Sequence, residues 1–172
     1  DWDDDRKAQR RGHGPVRAGE ALKAAGIPVY HNQAVALEKD GRRFWFAGLG
    51  DQRALPPLHK GGHPRGVDDL PATLAQISDD APVILLAHEP DIFPDVPERV
   101  GLTRSGHTHG GQVKLFGQTP VVPAKYGSRY AYGHIRETNR DLIVSGGLGC
   151  SGIPIRFGVP PELLTIELGT SA

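Results

Sequence analysis

The chain has 172 residues, with 20 Lys and Arg against 20 Asp and Glu and a formal net charge of zero, a length that fits one domain with a real core. The balance excludes the overall basic excess by which a nucleic-acid-binding protein announces itself, and no run of about 18 apolar residues marks a membrane span. A single cysteine, Cys150, cannot close an internal disulfide.

Residues 1–11 are charged and read as irregular, with Asp3, Asp4 and Asp5 as a solvated run. Pro15 suits a first helical position, and residues 16–25 are predicted to form a helix closed by Gly26. Short strands are expected at 29–31 and 35–38. Asp40-Gly41 then turns the chain into a returning strand at 43–47, because Asp-Gly accepts the positive φ of a tight hairpin. From 48 to 66 runs a loop rich in Gly, Pro and His, a length that in a compact domain is functional or disordered. His59 and His63 lie in it with no cysteines beside them, which favours a flexible lid or substrate-facing loop over a metal site. Asp68 is placed as the cap of a helix reaching about 77. Strands are predicted at 83–87, 102–105, 112–116, 142–145 and 163–168. With 23 glycines and 15 prolines, loops are expected to make up much of the fold and to build its sites.

Two places in this order carry chemistry. The apolar run Pro82-Val83-Ile84-Leu85-Leu86-Ala87 ends in His88-Glu89-Pro90-Asp91, which reads as a buried strand with a histidine at its carboxyl end. That is the end where open α/β sheets gather ligands. Further on, Gly106-His107-Thr108-His109-Gly110-Gly111-Gln112 sets two imidazoles among three glycines. In an extended backbone residues i and i+2 project to one side, so His107 and His109 are expected to address one pocket. The glycines allow close approach and positive φ. A Gly-rich surface turn with two solvated histidines is the alternative reading of the same residues.

The segments Leu86-Ala87-His88-Glu89-Pro90-Asp91 and Ser105-Gly106-His107-Thr108-His109-Gly110-Gly111-Gln112 resemble the last two metal-binding motifs of the calcineurin-like metallophosphoesterases, in their bacterial phosphodiesterase branch. The likeness continues through Val144-Ser145-Gly146-Gly147-Leu148-Gly149, Pro154-Ile155-Arg156-Phe157 and Pro160-Pro161-Glu162-Leu163. It implies an α/β fold: the second half of a four-layer αββα sandwich, a mixed sheet with flanking helices, here as a single partial domain over residues 1–172. It also implies hydrolysis of a phosphodiester or pyrophosphate at a dinuclear centre of divalent Mn, Fe or Zn. In the family's pattern His88 and His107 share one ion and His109 serves its neighbour.

Three family motifs are not found: Asp-X-His, Gly-Asp-X-X-Asp with its bridging aspartate, and a complete Gly-Asn-His-Asp. Gly50-Asp51-Gln52-Arg53-Ala54 begins like the second but has Ala54 in place of its last aspartate. The chain is expected to start inside Gly-Asn-His-Asp with Asp1 as the final aspartate, a possible remnant of the catalytic motif whose general-acid histidine is absent. It would then carry part of the active site, one ion or none, and be impaired by itself. Its partners would be a phosphoester substrate and either a missing N-terminal half or a second copy. The alternative is a non-catalytic metal- or partner-binding relative. The chain is expected to be soluble and the parent protein cytoplasmic or membrane-associated. Asp51 follows a strand where the family often has an acidic residue near its metals, and His13 lies in Arg10-Arg11-Gly12-His13-Gly14. Both are candidate substrate-binding residues. Tyr126, Tyr130, Tyr132 and His134 form an aromatic cluster that reads as a headgroup pocket or as edge packing, and Arg156 as a partner of a carboxylate or of substrate.

Overall fold

A computed structural model describes residues 5–169. Its sheet is nucleated by the hairpin of β1 (Gln33–Lys39) and β2 (Arg42–Gly48), paired antiparallel from Gln33↔Gly48 to Lys39↔Arg42. Asp40 (φ 53°) and Gly41 (φ 71°) both take the left-handed conformation whose twist matches the flanking strands. The chain then passes through α3 (Leu70–Leu74) into β3 (Val83–Leu86), β4 (Leu102–Ser105), β5 (Gly133–Glu137) and β6 (Arg140–Val144). The sheet order is β1-β2-β3-β4-β6-β5. β2, β3, β4 and β6 run parallel, while β1 and β5 close the two edges antiparallel. The fold is therefore α/β, a mixed sheet of six strands with flanking helices. No helix among the described residues is long and apolar enough to cross a membrane.

One face of the sheet is covered. Trp45, Ala47, Val83, Leu85 and Ala87 pack against Leu70, Val96 and Val100, and Leu142 and Val144 pack with Phe93 and Tyr130. Tyr126 and Tyr130 meet edge-on at 5.5 Å, so these two pack, while Tyr132 is exposed and donates to Glu162 at 2.5 Å and His134 bonds Asp141 at 2.7 Å. Leu85 is fully buried at the centre. Leu85→Ala should cost about 2–5 kcal/mol through lost burial and the cavity left behind, measured as a shift in the urea midpoint.

Several elements differ from expectation. The start is helical: α1 (Arg6–Arg11) and α2 (Arg17–Ala24) form, and Asp5 caps the first by accepting from Ala8 N at 3.0 Å and ties in the second by accepting from Arg17 N at 3.2 Å. Asp5 is thus a buried cap rather than a solvated member of the run; Asp3 and Asp4 lie outside the described residues. Asp69, not Asp68, caps α3, accepting from Ala72 N at 2.9 Å. That helix ends early because Gln76 N and Ile77 N donate three residues back, to Thr73 and Leu74, tightening the last turn. No strand forms at 29–31, 112–116 or 163–168. β5 escaped the sequence reading because Ile135 is its single inward apolar residue, too weak an alternation to register.

Candidate metal centre

β3 and β4 lie side by side and parallel in the register Leu86↔Arg104, so their carboxyl ends stop at one level. His88 and His107 each follow their strand by two residues. Gly106 N donates to His88 O at 2.9 Å, carrying the ladder one step into the loops. The two rings meet edge-on with centroids 5.4 Å apart. Between them comes Glu89, 3% exposed, with Oε1 3.8 Å from His107 Nδ1. One donor atom from each of His88, Glu89 and His107 falls within 4.8 Å of the others.

The donor chemistry fits a divalent ion. His107 Nε2 is 3.1 Å from Pro123 O, so Nε2–H donates to that carbonyl and Nδ1 keeps its lone pair toward Glu89. This is the arrangement by which metal-binding histidines are oriented. Burial holds both His88 and His107 below the usual imidazole range, and His107 is lowered further by His88. Both rings are therefore neutral and able to donate near pH 7. Burial, with Asp51 adding to it, pushes the Glu89 carboxyl up to about 7. A buried acid so raised is a site short of positive charge. Ser105 Oγ, on the wall of the same cleft, is buried with no hydrogen-bond partner among the described residues.

His109 goes elsewhere. The 106–112 segment is not extended: His107 (φ 67°), His109 (φ 51°), Gly110, Gly111 and Gln112 all have positive φ. The expectation that i and i+2 share a side therefore fails. Thr108 pins the turn, its Oγ1 donating to Ala131 O at 2.6 Å. His109 Nδ1 accepts from Arg156 Nη2 at 3.1 Å, which puts the proton of the neutral ring on Nε2. Among the described residues Arg156 forms no ion pair with a carboxylate; it is held by Gly149 O and Gly146 O at 2.8 and 2.5 Å. Both His107 and His109 still line one cleft of about 520 Å³.

Two left-handed histidines in one loop cost about 1–2 kcal/mol each, a strain that such sites hold through their surroundings. Gly111 (φ 77°) is the tightest point, since a Cβ there would lie 1.8 Å from Thr119 Cγ2. Gly111→Ala should lower stability by at least about 1–2 kcal/mol and disturb His109 more than His88, checked by thermal melting and by the ring resonances of the two histidines.

Of the other sequence candidates, Asp51 stands near enough to Glu89 and His88 to act on both charges. It accepts from Arg53 N at 2.7 Å. His13 is exposed in the turn between α1 and α2, its carbonyl accepting from Arg11 Nε at 3.4 Å, and it is not part of the cleft wall. Asp1 lies outside the described residues. Glu89 was the site residue missed; its signal was a carboxylate directly after a strand-end histidine. Glu162 was missed as well. It lines the cleft, accepting from Gly146 N at 2.9 Å and from Tyr132 Oη at 2.5 Å.

Known proteins similar in sequence to this chain include a metallophosphoesterase and a phosphodiesterase by name. The chain is 35% identical over 162 residues to an uncharacterized metallophosphoesterase, YkuE, of Bacillus subtilis, covering 91% of this chain and 52% of that protein. It is 34% identical over 159 residues to phosphodiesterase YaeI of Escherichia coli, covering 87% and 50% respectively. A Danio rerio transmembrane protein with a metallophosphoesterase domain is 31% identical over 156 residues, with 87% of this chain and 34% of that protein covered. The chain belongs to the metallophosphoesterase family, and it spans about half the length of the two bacterial relatives. No family model matches it, and neither does any solved structure.

Proposed function

We propose that this chain supplies the histidine-rich part of a metal-dependent phosphoesterase site, one partial domain whose complete protein hydrolyses a phosphodiester or pyrophosphate. The observation that carries it is the His88, Glu89 and His107 donor cluster at the ends of two adjacent parallel strands. His88 and His107 would hold one ion, joined by Glu89, and His109 a neighbour once Arg156 releases its Nδ1, either for the ion itself or for the ring proton that then leaves Nε2 free. Imidazole and carboxylate suit Mn, Fe and Zn alike. When bound, such ions supply Lewis acidity to a phosphoryl centre.

The chain's own residues divide the remaining work. Pro123 O fixes the His107 ring, and Arg156 fixes His109. Arg104 lines the cleft with a guanidinium that makes no hydrogen bond or ion pair among the described residues, a cation available to a phosphoryl oxygen. Asp51 adds negative charge beside His88 and Glu89, which favours a cation at the cluster. Two-metal hydrolysis also needs a bridging carboxylate, which this chain's motifs do not provide.

The test is hydrolysis of bis(p-nitrophenyl) phosphate with added Mn²⁺. The chain alone is expected to stay at background. Joined to the amino-terminal half of the Bacillus subtilis relative, it should gain metal-dependent activity that His107→Ala abolishes. Metal-independent activity, or an assembled protein that binds metal yet cleaves no phosphoester, would defeat the reading. One observation favours a partner-binding role alongside it. The sheet face opposite the core carries Val35, Leu37, Phe44, Phe46 and Leu86, all only half-buried, the kind of apolar surface that a second layer covers.

A further inference from the structure

The carbonyl that orients His107 belongs to a loop with few attachments. Pro123, whose O receives the His107 Nε2–H at 3.1 Å, lies in the long connection between the histidine loop and β5. Ala124 N donates to Val122 O at 2.8 Å and Gly127 N to Ala124 O at 3.3 Å. Such local bonds shape the turn around Pro123 but do not place it against the ends of β3 and β4. Its placement comes from Asp91, whose Oδ2 accepts from Lys125 N at 2.7 Å and Oδ1 from Tyr126 N at 3.4 Å. Among the described residues, and apart from bonds leading into the turn Gly127–Tyr130, only these two and the one from His107 tie residues 119–126 to the rest of the chain.

Asp91 is itself well anchored. It stands in the 3₁₀ turn Pro90–Asp95, directly after Glu89, and its neighbours Pro90 and Phe93 are fully buried. Phe93 in turn meets Tyr130 edge-on at 5.7 Å. Asp91 is close enough to His107 for its charge to act on that ring. It is not a fourth donor, because it stands outside the donor cluster and both its oxygens are taken by amides. We propose that Asp91 is a positioning residue for the metal centre, acting on His107 through the Lys125 and Tyr126 amides and Pro123 O. The chemistry calls for such a brace. A neutral imidazole offers its lone pair from one nitrogen while the other holds the proton, and the aim of a metal-binding ring is set by what that proton bonds. Here the acceptor is a loop carbonyl, which is only as fixed as its loop. The stretch His88–Asp91 therefore supplies two donors directly and aims the third. Use of the ring on an ion rests on the phosphoesterase reading; the bracing of the ring does not.

The experiment compares the parent chain with Asp91→Ala, Asp91→Asn and Asp95→Ala, first by ¹⁵N NMR without metal and then by titration with Zn²⁺. In the parent, the Lys125 amide proton and the His107 Nε2 proton should both exchange slowly with water, since each is held in a hydrogen bond. Asp91→Ala, with its far-UV spectrum unchanged, should lose the His107 ring proton to exchange. It should also bind Zn²⁺ about 10–100-fold more weakly, the loss that goes with an outer partner of a metal-binding histidine. Asp91→Asn keeps one acceptor oxygen without the charge and should fall between. Asp95→Ala removes an exposed carboxylate from the same turn and should match the parent in both readouts. A ring proton that exchanges as slowly in Asp91→Ala as in the parent overturns the proposal, and any fall in affinity beside it is the effect of lost charge. If Asp91→Ala does not fold, faster ring-proton exchange in Asp91→Asn supports the brace, whereas an unchanged one, or a Lys125 amide that exchanges freely in the parent, overturns it. A ring proton lost in Asp91→Ala, in a chain that takes up no Zn²⁺ in any form, supports the brace and defeats the metal-centre reading alone.

Discussion

His107→Ala is expected to weaken binding of Mn²⁺ or Zn²⁺ by more than about a hundredfold in calorimetric titration. Losing an outer partner of a metal-binding histidine already costs about 10–100-fold, and this substitution removes the donor atom itself. His88→Ala should do the same, because its ring and that of His107 stand 5.4 Å apart against one carboxylate. His109→Ala should leave this first ion in place, since His109 Nδ1 faces Arg156 and not the cluster. The reverse pattern, with His109 indispensable and His107 dispensable, would contradict the geometry. Affinity at the cluster should climb with pH up to about 7, as protons leave Glu89.

The second large effect belongs to Glu89 in the metal-free chain. Its carboxyl moves from an ordinary 4.5 to about 7 on folding, chiefly through burial. The native state therefore holds a proton that the unfolded chain has released, and stability falls as pH rises from about 4.5 to about 7, then levels. The full fall is about 3 kcal/mol. Glu89→Gln keeps an acceptor for Gln52 N, which now donates to Glu89 Oε2 at 3.2 Å, and abolishes the titration. Above pH 7 the variant should be up to about 3 kcal/mol more stable, or roughly 6–12 °C higher in melting temperature for a chain of this size. Near pH 4.5 the two should match. Lowered folded-state values of His88 and His107 make both proteins lose stability as pH falls through the ordinary imidazole range, so the difference between them isolates Glu89. The same variant should bind metal more weakly. A site that stabilises the apo chain when neutralised, yet loses its ligand, is the signature of a carboxylate kept for a cation.

How much of this was legible depended on the range of the forces involved. β4 was readable to the residue, as 102–105, between Gly101 and Gly106, and β3 to within one residue, because a short apolar run opened by a proline has few alternatives. The positions of His88 and His107 at neighbouring strand ends followed from those strands. The direction of His109 did not follow. It is set by positive φ at His107 and by the Thr108 bond to Ala131, 23 residues away, and no local pattern encodes such a contact. Glu89 was in plain sight, but its burial depends on Gln52, 37 residues earlier. The stretches 112–116 and 163–168 look like strands by composition. In the first, four successive residues of positive φ, His109 to Gln112, divert the chain away from the sheet.

The central claim is that His88, Glu89 and His107 form a cation site, and ring-nitrogen NMR tests it most directly. In a Zn²⁺ titration of the uniformly ¹⁵N-labelled chain near pH 7.5, the ring nitrogens of His88 and His107 should shift together and saturate at a single equivalent. His107 should bind through Nδ1 while Nε2 keeps the proton it gives to Pro123 O. If those rings stay unmoved while the exposed His59 and His63 respond, the cluster is not a metal site and the account fails.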